Sequence, residues 1–378
     1  MIITKTPFRL TLGGGGTDLP SFYREHGGFV LAVGIDKHMY LNVNTPILDD
    51  TVRIQYSQTE LVRHVDEVQH TLAREALRFC GISSGIEIVS VADIPSGTGL
   101  GSSSCYVVGL LNAVHTLTQS PSAPEILAEE ACHIELERLH KPIGKQDQYM
   151  AAFGGLTKLE ISKNGKVRAT RLCLPRELLE TLEHNILLFY TGAVRNSAKI
   201  LEQQNDAVEK RADGVLANLS QIKDIGIEIC DAIVSGNLHR FGQLMDVHWQ
   251  VRKRLSSGVS TPQIDAWYQL ARRNGAIGGK ISGAGGGGFL ILYCEQNKAR
   301  LREAMRRAGL RELNFRFEFE GSKVVFDMVS RDARLAYIQR QEAGDARAPI
   351  AWPVTRPVDT FGTKSSKEEN GRATRSLS

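Results

Sequence analysis

The sequence predicts an α+β protein built from two domains. Its 378 residues are enough for two packed domains. Strand-like and helical segments alternate along the chain, an order typical of sheets covered by helices. Three glycine clusters stand out among the 36 glycines, and each cluster adjoins a strongly apolar segment. This organisation predicts an active site between the two domains, where the glycine clusters lie.

Composition and charge exclude several functional classes. Lys and Arg (46) nearly balance Asp and Glu (42), and a net charge of +4 gives no support for a nucleic-acid partner. No apolar run reaches membrane-spanning length, and the N-terminus shows no signal-peptide core. The six cysteines are far apart without a Cys-x-x-Cys pair, which suits a reducing cytoplasm. We therefore expect a cytoplasmic protein without a membrane partner, and its oligomeric state stays open.

The second glycine cluster, Ile94–Ser104, has the most specific context. Ile86–Val91 before it alternates like a strand, and residues 102–118 after it carry apolar side chains at helical spacing. A helix start has unpaired N–H groups and the positive end of the helix dipole, so the loop predicts a phosphate-binding site. Its serine hydroxyls are further donors or Mg²⁺ ligands, and simple serine capping is the alternative.

Two familiar nucleotide-binding motifs are excluded. The pattern G-x-x-x-x-G-K-[ST] has no match, because Ile281 follows Gly279-Lys280. The pattern G-x-G-x-x-G matches within the third glycine cluster, Lys280–Gly288, but leads into the apolar segment Phe289–Cys294. That segment predicts a buried strand, whereas dinucleotide binding needs a helix there. Protein-kinase signatures are absent as well.

Three motifs in order carry a resemblance to a known family. They are TPFRLTLGGGGTDLP, which contains the first glycine cluster (Gly13–Gly16), then the second cluster, then the third. Together they resemble the GHMP small-molecule kinases, the family of galactokinase, homoserine kinase, mevalonate kinase and phosphomevalonate kinase. The resemblance covers about residues 1–330 and implies a ribosomal-protein-S5-like N-terminal domain (1–175) and a ferredoxin-like C-terminal domain (176–343). Residues 344–378, polar and without periodicity, are predicted to be a flexible tail.

The resemblance implies an ATP-dependent kinase with a catalytic carboxylate. Asp147, in GKQDQY, matches the family's catalytic aspartate, which accepts a proton from the acceptor hydroxyl and orients it. Arg9 matches the basic residue beside it, which keeps the carboxylate ionised, and a purely structural salt bridge is the alternative. The residues expected to bind the phosphates of ATP are Pro95, Gly97, Gly99, Leu100, Gly101, Ser102, Ser103 and Ser104.

A magnesium site is also implied by the resemblance. Glu135 lies twelve residues before Asp147, the spacing found in galactokinase-like members. We expect Glu135 and Ser103 to hold Mg²⁺ between the β- and γ-phosphates. Glu137 would point to another face of the same helix, and a solvated acidic face is the alternative for this segment.

The candidate substrate ligands follow from the same resemblance and from the chemistry of a sugar phosphate. Asp18 can accept hydrogen bonds from two hydroxyls of a diol, with an Asx turn before Pro20 as the alternative. Arg195 and Lys199, four residues apart, would share one helix face and are candidates for holding a phosphate. The remaining substrate candidates are Gly15, Gly16, Thr17, Gly283, Gly285 and Gly286.

Within the family the likeness is strongest to the heptose-phosphate kinases. The shared stretches are TPFRLTLGGGGTDLP, GKQDQYMAAFGG, TG-x-x-R and KISGAGGGGF. This branch implies phosphorylation of O1 of D-glycero-D-manno-heptose 7-phosphate to the 1,7-bisphosphate, for nucleotide-activated heptose in surface glycans. A kinase for an unphosphorylated sugar such as L-fucose is the alternative. A catalytically silent sugar or nucleotide sensor is a second alternative, against which the retention of Arg9, Ser103, Glu135 and Asp147 argues.

Overall fold

The computed structural model describes residues 1–46, 48–192, 197–209, 214–256 and 258–344. Of the predicted tail only Gly344 lies within this range. Across these residues helices and strands are mixed, as the sequence predicts, and the strands form two sheets. None of the helices in this part of the chain has the length and apolarity needed to cross a membrane.

The first sheet is built mainly from the N-terminal half of the chain. Its strands are β1 (Ile2–Gly13), β2 (Gly28–Asn44), β3 (Val52–Gln55), β4 (Thr59–Val62), β5 (Ile86–Ala92), β6 (Leu156–Ile161), β7 (Val167–Arg171) and, from the C-terminal part, β12 (Lys323–Asp327). The order is β12-β1-β2-β5-β3-β4, with β6 between β2 and β7. All neighbours are antiparallel except β3 and β5.

Strand β2 determines where the first two glycine clusters lie. It is long enough to pair with β6 through residues 28–33 and with β5 through residues 39–44, while β1 follows its other edge. Since β1 and β5 are both antiparallel to β2, they run in the same direction. The first cluster follows β1 and the second follows β5. The second cluster then passes beside β1, where Arg9 N–H donates to the carbonyl of Leu100 at 3.2 Å.

Five α-helices precede β6 in the chain. They are α1 (Pro20–His26), α2 (Thr71–Phe79), α3 (Ser102–Leu117), α4 (Pro124–Cys132) and α5 (Gln146–Phe153), and a π-helical turn, His133–Arg138, continues α4. Helix α3 packs against β1, β2 and α5, and its apolar residues are buried on almost every side. Its N-cap is Gly101, with φ +88° and no side-chain cap. The serines that follow therefore do not act as the N-cap, which leaves their hydroxyls for another role.

The second sheet comes from the C-terminal half of the chain. Its strands are β8 (Ile186–Tyr190), β9 (Gly278–Ile281), β10 (Phe289–Tyr293) and β11 (Arg311–Glu312), all antiparallel in the order β11-β8-β10-β9. Side chains alternate across β10: Ile291 joins the core shared with the first sheet, whereas Leu290 and Leu292 join a second core. Burial on both faces explains why this strand is continuously apolar, as predicted for a buried strand.

The remaining helices cover and connect the two sheets. They are α6 (Arg176–Asn185), α7 (Ser197–Glu209), α8 (Val215–Val234), α9 (Leu238–Arg252), α10 (Pro262–Arg273), α11 (Lys298–Arg307) and α12 (Arg331–Gly344). Helix α8 packs against β1 and β2, and its neighbour α9 packs against β9. The α8–α9 pair therefore joins both sheets and brings the third glycine cluster toward the first two.

The chain returns to the first sheet after the second. Strand β12 pairs with β1 from Ile2↔Asp327 to Lys5↔Lys323, and Phe317 forms a bridge with Ile35 of β2. The predicted division at residue 175 therefore separates the two sheets only up to the end of β11. The segment that follows completes the edge of the N-terminal sheet.

Candidate active site

The three glycine clusters meet around a cavity of about 260 Å³. Charged side chains from both halves of the chain line it. The carboxylates are Asp18, Glu135 and Asp147, and the cations are Arg9, Lys141, Arg252 and Lys280. The N-terminal end of α3, with Gly101 and Ser102–Ser104, forms another part of the wall. A cavity with unpaired helix N–H groups, hydroxyls and paired charges suits a phosphorylated ligand.

Glycines in the second and third clusters allow their backbones to touch. Gly99 has φ +81° and Gly283 has φ +69°. A Cβ at Gly283 would lie 2.7 Å from Cα of Gly99, closer than any side chain tolerates. Ser282 Oγ also donates to the Gly99 carbonyl at 2.8 Å. The missing side chains of Gly99 and Gly283 therefore allow the second and third glycine clusters to pack directly against each other.

Replacing Gly283 with Ala is expected to displace the second cluster. Gly309 is the matched control, because its φ is +83° but nothing lies within 4 Å of a Cβ there. Gly309→Ala should cost only the left-handed backbone strain, about 1 kcal/mol. Gly283→Ala should lower the melting temperature further and reduce kcat/KM for ATP about tenfold, as measured by thermal unfolding and steady-state kinetics. Equal effects of the two substitutions would contradict this packing argument.

Asp147 and Arg9 form an ion pair at the cavity wall. Asp147 lies in the first turn of α5 and Arg9 on β1, and Arg9 Nε and Nη2 lie 2.8 and 2.7 Å from the same oxygen, Oδ1. Arg9 Nη1 also donates to the Gly99 carbonyl at 2.7 Å. Among the described residues no hydrogen bond reaches Asp147 Oδ2, and the side chain is 27% exposed. One carboxylate oxygen is thus held in place, the other has no hydrogen-bond partner among the described residues, and Asp147 lines the cavity.

Asp18 is buried and held by amides instead of a cation. Its Oδ1 accepts from Gly16 N–H at 3.0 Å and from Gln146 Nε2 at 3.3 Å, and its Oδ2 accepts from Gln146 N–H at 3.1 Å. Burial raises the pKa of this carboxyl above its usual value, and the backbone hydrogen bonds oppose that shift. Gly144 leaves the space that Asp18 occupies, since a Cβ there would overlap the carboxylate. The Gly16 contact is a local turn, and the Gln146 contacts fix Asp18 next to Asp147.

Glu135 is fully buried beside the start of α3. It lies in the π-helical turn, a feature often found at functional sites. Its carboxylate accepts from Ser104 Oγ at 2.6 Å, Gln148 Nε2 at 2.7 Å and Lys141 Nζ at 3.0 Å. Ser104 thus contacts Glu135 directly, whereas Ser103 is exposed toward the cavity.

This donor set fits a magnesium ion carried by a nucleotide. Glu135 and the serine hydroxyls offer hard oxygen ligands. The described ranges contain no group of three or more His, Cys, Asp or Glu side chains able to hold a metal. Magnesium is commonly bound by one or two carboxylates together with the phosphates of its substrate, so a single buried glutamate is sufficient. The residues present therefore fit Mg²⁺ that arrives with ATP.

Comparisons with known proteins identify the family of this chain. The model of the N-terminal domain of GHMP kinases matches residues 63–155, and that of the C-terminal region of GHMP kinases matches residues 229–310. The chain is 30% identical over 338 residues to D-glycero-alpha-D-manno-heptose 7-phosphate kinase of Campylobacter jejuni, covering 85% of this chain and 98% of that protein. The chain belongs to the GHMP kinase family.

Other relatives show the same GHMP kinase fold. The L-fucokinase/L-fucose-1-P guanylyltransferase of Bacteroides fragilis is 27% identical over 333 residues, which are 79% of this chain but only 35% of that longer protein. A putative sugar kinase of C. jejuni has a TM-score of 0.68 at 27% identity, covering 85% of this chain and 97% of that one. A D-glycero-D-manno-heptose 1-phosphate kinase from Bacteroides thetaiotaomicron has a TM-score of 0.71 at 23% identity, with 87% and 100% coverage. The protein is a sugar kinase that uses ATP as phosphate donor.

The structure brings most of the predicted site residues of this GHMP kinase together. Those that line the cavity are Arg9, Gly15, Gly16, Asp18, Gly97, Gly99, Gly101, Ser102, Ser103, Ser104, Glu135, Asp147 and Gly283. Pro95, Thr17, Leu100, Gly285 and Gly286 lie outside its lining. Thr17 Oγ1 lies 2.8 Å from the carbonyl oxygens of Gly14 and Phe29, to either of which it can donate, and accepts from Phe29 N–H at 3.0 Å, so it holds the first cluster in shape.

The other non-lining residues also have structural contacts. The Leu100 carbonyl accepts from Arg9 N–H, and the Pro95 carbonyl accepts from Thr98 Oγ1 at 3.0 Å. Gly286 N–H donates to the Val259 carbonyl at 2.8 Å, and Gly285 packs against the same residue. These residues shape the loops, and their predicted contacts with ligands stay predictions.

The predicted phosphate cations are not placed by the structure. Arg195 lies outside the described residues, and the side chain of Lys199 does as well, although its backbone belongs to α7. Sequence reasoning missed Lys141, which pairs with Glu135, and two buried cavity cations, Arg252 and Lys280. Arg252 resembles any basic residue of an amphipathic helix, and Lys280 belongs to a motif that drew attention only for its glycines. The signal that finds them is burial, which appears only in the folded structure.

Proposed function

We propose that this GHMP kinase transfers the γ-phosphoryl group of ATP to the anomeric O1 of D-glycero-D-manno-heptose 7-phosphate. The resemblance to the C. jejuni heptose 7-phosphate kinase supports this acceptor, because it extends over nearly the whole of that protein. The chemistry is supported by one observation above all. A carboxylate of Asp147, fixed through Oδ1 by Arg9, faces the cavity beside the glycine-rich start of α3.

The acceptor hydroxyl would be positioned by Asp147. Oδ2 accepts the O1–H hydrogen bond and takes the proton as O1 bonds to the γ-phosphorus, while the bond from phosphorus to the β–γ bridging oxygen breaks and ADP leaves. Arg9 keeps the carboxylate oriented through Oδ1 and donates to the Gly99 carbonyl. It therefore connects the base to the second glycine cluster, the predicted phosphate-binding loop. Asp18, which also lines the cavity, would accept hydrogen bonds from sugar hydroxyls.

The donor phosphates would lie at the N-terminal end of α3. The unpaired N–H groups of its first turn and the hydroxyls of Ser102 and Ser103 face the cavity. Glu135 and Ser103 would hold Mg²⁺, and Ser104 would orient the Glu135 carboxylate. When bound, the ion neutralises charge on the β- and γ-phosphates.

The experiment that tests the proposal is ADP release with ATP and Mg²⁺ across an acceptor panel. The panel contains D-glycero-D-manno-heptose 7-phosphate, the dephosphorylated heptose, L-fucose, galactose and mevalonate. We expect kcat/KM for the 7-phosphate to exceed that for each other acceptor by at least about a hundredfold, because a site built for a phosphate loses its contacts when the phosphate is missing.

Each other result points to a different function. Preferred turnover of L-fucose or another neutral sugar would keep the sugar kinase and reject the heptose 7-phosphate acceptor. An absence of turnover with every acceptor, while ATP still binds, would favour a sensor that has lost catalysis. Phosphorylation at a position other than O1, read from the product by NMR, would reject the anomeric assignment.

A further inference from the structure

Two buried basic side chains in the cavity form no ion pair with a carboxylate among the described residues. Lys280 on β9 is 2% exposed and Arg252 at the end of α9 is 4% exposed. The backbone of Lys280 pairs with β10, but within the described ranges its side chain makes no hydrogen bond or ion pair. Arg252 donates from Nη1 to the Gly15 carbonyl at 2.8 Å and from Nη2 to the Gly283 carbonyl at 2.6 Å, and its Nε has no partner. Both side chains line the cavity.

The carboxylates of the cavity are engaged elsewhere. Asp147 is paired with Arg9, and Glu135 is paired with Lys141 at 3.0 Å. Asp18 is held by backbone and side-chain amides, and among the described residues no hydrogen bond or ion pair joins it to Arg252 or Lys280, although its charge opposes the fall in the pKa of Arg252 that burial causes. Burying a charge without a directly paired counter-ion is costly, so two buried basic groups without an ion pair at a ligand cavity indicate that a ligand supplies further negative charge.

The surroundings of Lys280 are positive, not merely apolar. Burial lowers the pKa of Lys280 well below its usual value, and Arg252 and Arg9 lower it further. His248, one turn before Arg252 on α9, is fully buried, and neither of its ring nitrogens has a partner among the described residues. Burial lowers its pKa well below the usual value, and Lys280 and Arg252 lower it further. An imidazole is neutral or positive, so His248 supplies no negative charge to balance Arg252 and Lys280.

We propose that Arg252 and Lys280 form a binding site for a phosphate oxyanion on the part of the cavity wall contributed by α9 and β9. The inference rests on the proposed function, in that the cavity carries out phosphoryl transfer. Arg252 bridges the first and third glycine clusters, so its guanidinium lies between the predicted acceptor side, at Gly15, and the phosphate loop that Gly283 contacts. The oxyanion comes either from the acceptor's own phosphate or from the γ-phosphate of the donor.

Lys280→Met is the variant that tests the site. It keeps the length of the side chain and removes an amino group that no described residue pairs with, so we expect the melting temperature to stay the same or rise. Lys253→Met is the matched control. Lys253 follows Arg252 directly, but its ammonium pairs with Asp265 at 3.2 Å and lies outside the cavity lining. Both variants lose one positive charge, and only Lys280→Met loses it from the cavity.

The measurement is the affinity gained from one phosphate group, determined by calorimetry in pairs of ligands. The acceptor arm compares D-glycero-D-manno-heptose 7-phosphate with the dephosphorylated heptose. The donor arm compares the non-hydrolysable ATP analogue AMP-PNP with ADP, both with Mg²⁺. In one arm we expect Lys280→Met to reduce the ratio of the two affinities by at least about tenfold. Lys253→Met should leave the ratio unchanged in both arms.

The arm that responds identifies the source of the oxyanion. A loss in the acceptor arm assigns the site to the sugar phosphate, and a loss in the donor arm assigns it to the γ-phosphate. Unchanged gains in both arms, or equal losses with Lys253→Met, would overturn the proposal. The donor arm needs no sugar, so it tests the oxyanion site even if the acceptor panel rejects heptose 7-phosphate. Failure of the proposed acceptor can therefore be distinguished from failure of the proposed oxyanion site.

Discussion

Replacing Asp147 with Asn is expected to lower kcat by at least about a hundredfold. The amide is nearly the same size as the carboxylate, but it cannot take the proton from the acceptor hydroxyl. It also loses the ion pair with Arg9, whose Nε and Nη2 both point at Oδ1. The guanidinium, buried and bonded to the Gly99 carbonyl, would stay in place. The loss should therefore fall on the chemical step, because ATP is bound by groups that the substitution leaves intact.

The measurement is steady-state ADP release together with the dissociation constant for AMP-PNP. Asp246→Asn is the matched control, since Asp246 is 28% exposed, close to the 27% of Asp147, but lies outside the cavity lining. We expect Asp147→Asn to bind AMP-PNP within about threefold of the wild type. Near-normal turnover would mean that the proton leaves through phosphate or solvent, and the assignment of Asp147 as base would be wrong.

The sequence predicted the local geometry of the phosphate loop because that geometry is encoded locally. Strand β5, the second glycine cluster and helix α3 follow one another within one stretch of chain, and the period of apolar residues changes where the strand gives way to the helix. The buried strand β10 was predicted for the same reason. Motif resemblance then identified Arg9 and Asp147, which lie 138 positions apart and still form an ion pair.

The partners that come from packing could not be predicted in this way. The contact of Ser104 with Glu135 depends on a π-helical turn, which has no distinct sequence pattern. The burial of Arg252 and Lys280 depends on how α9 packs against β9, and in sequence both resemble ordinary surface cations. The return of β12 to the first sheet has a similar origin, since it requires pairing across nearly the whole chain.

Replacing Glu135 with Gln is expected to lower kcat/KM for ATP by at least about a hundredfold and to raise the Mg²⁺ concentration needed for half-maximal rate. The carboxylate is fully buried, and three donors, from Ser104, Gln148 and Lys141, fix its position. A glutamine amide keeps the volume but loses the negative charge, and one of its two ends can no longer accept a hydrogen bond. Some loss of stability is also expected, because Lys141 is left without its partner.

Lys141→Met separates the two roles of Glu135. It breaks the same 3.0 Å ion pair from the other side and leaves the carboxylate in place. If Glu135 binds the metal, only Glu135→Gln should weaken Mn²⁺ binding, measured by electron paramagnetic resonance in the presence of ADP, whereas both variants should lower the melting temperature. If instead both variants change Mn²⁺ affinity equally, Glu135 acts only by holding Lys141, and the metal must depend on the serines and the phosphates. A carboxylate that accepts three hydrogen bonds in a dry site cannot move far to meet an ion, so the ion has to bind where Glu135 already points.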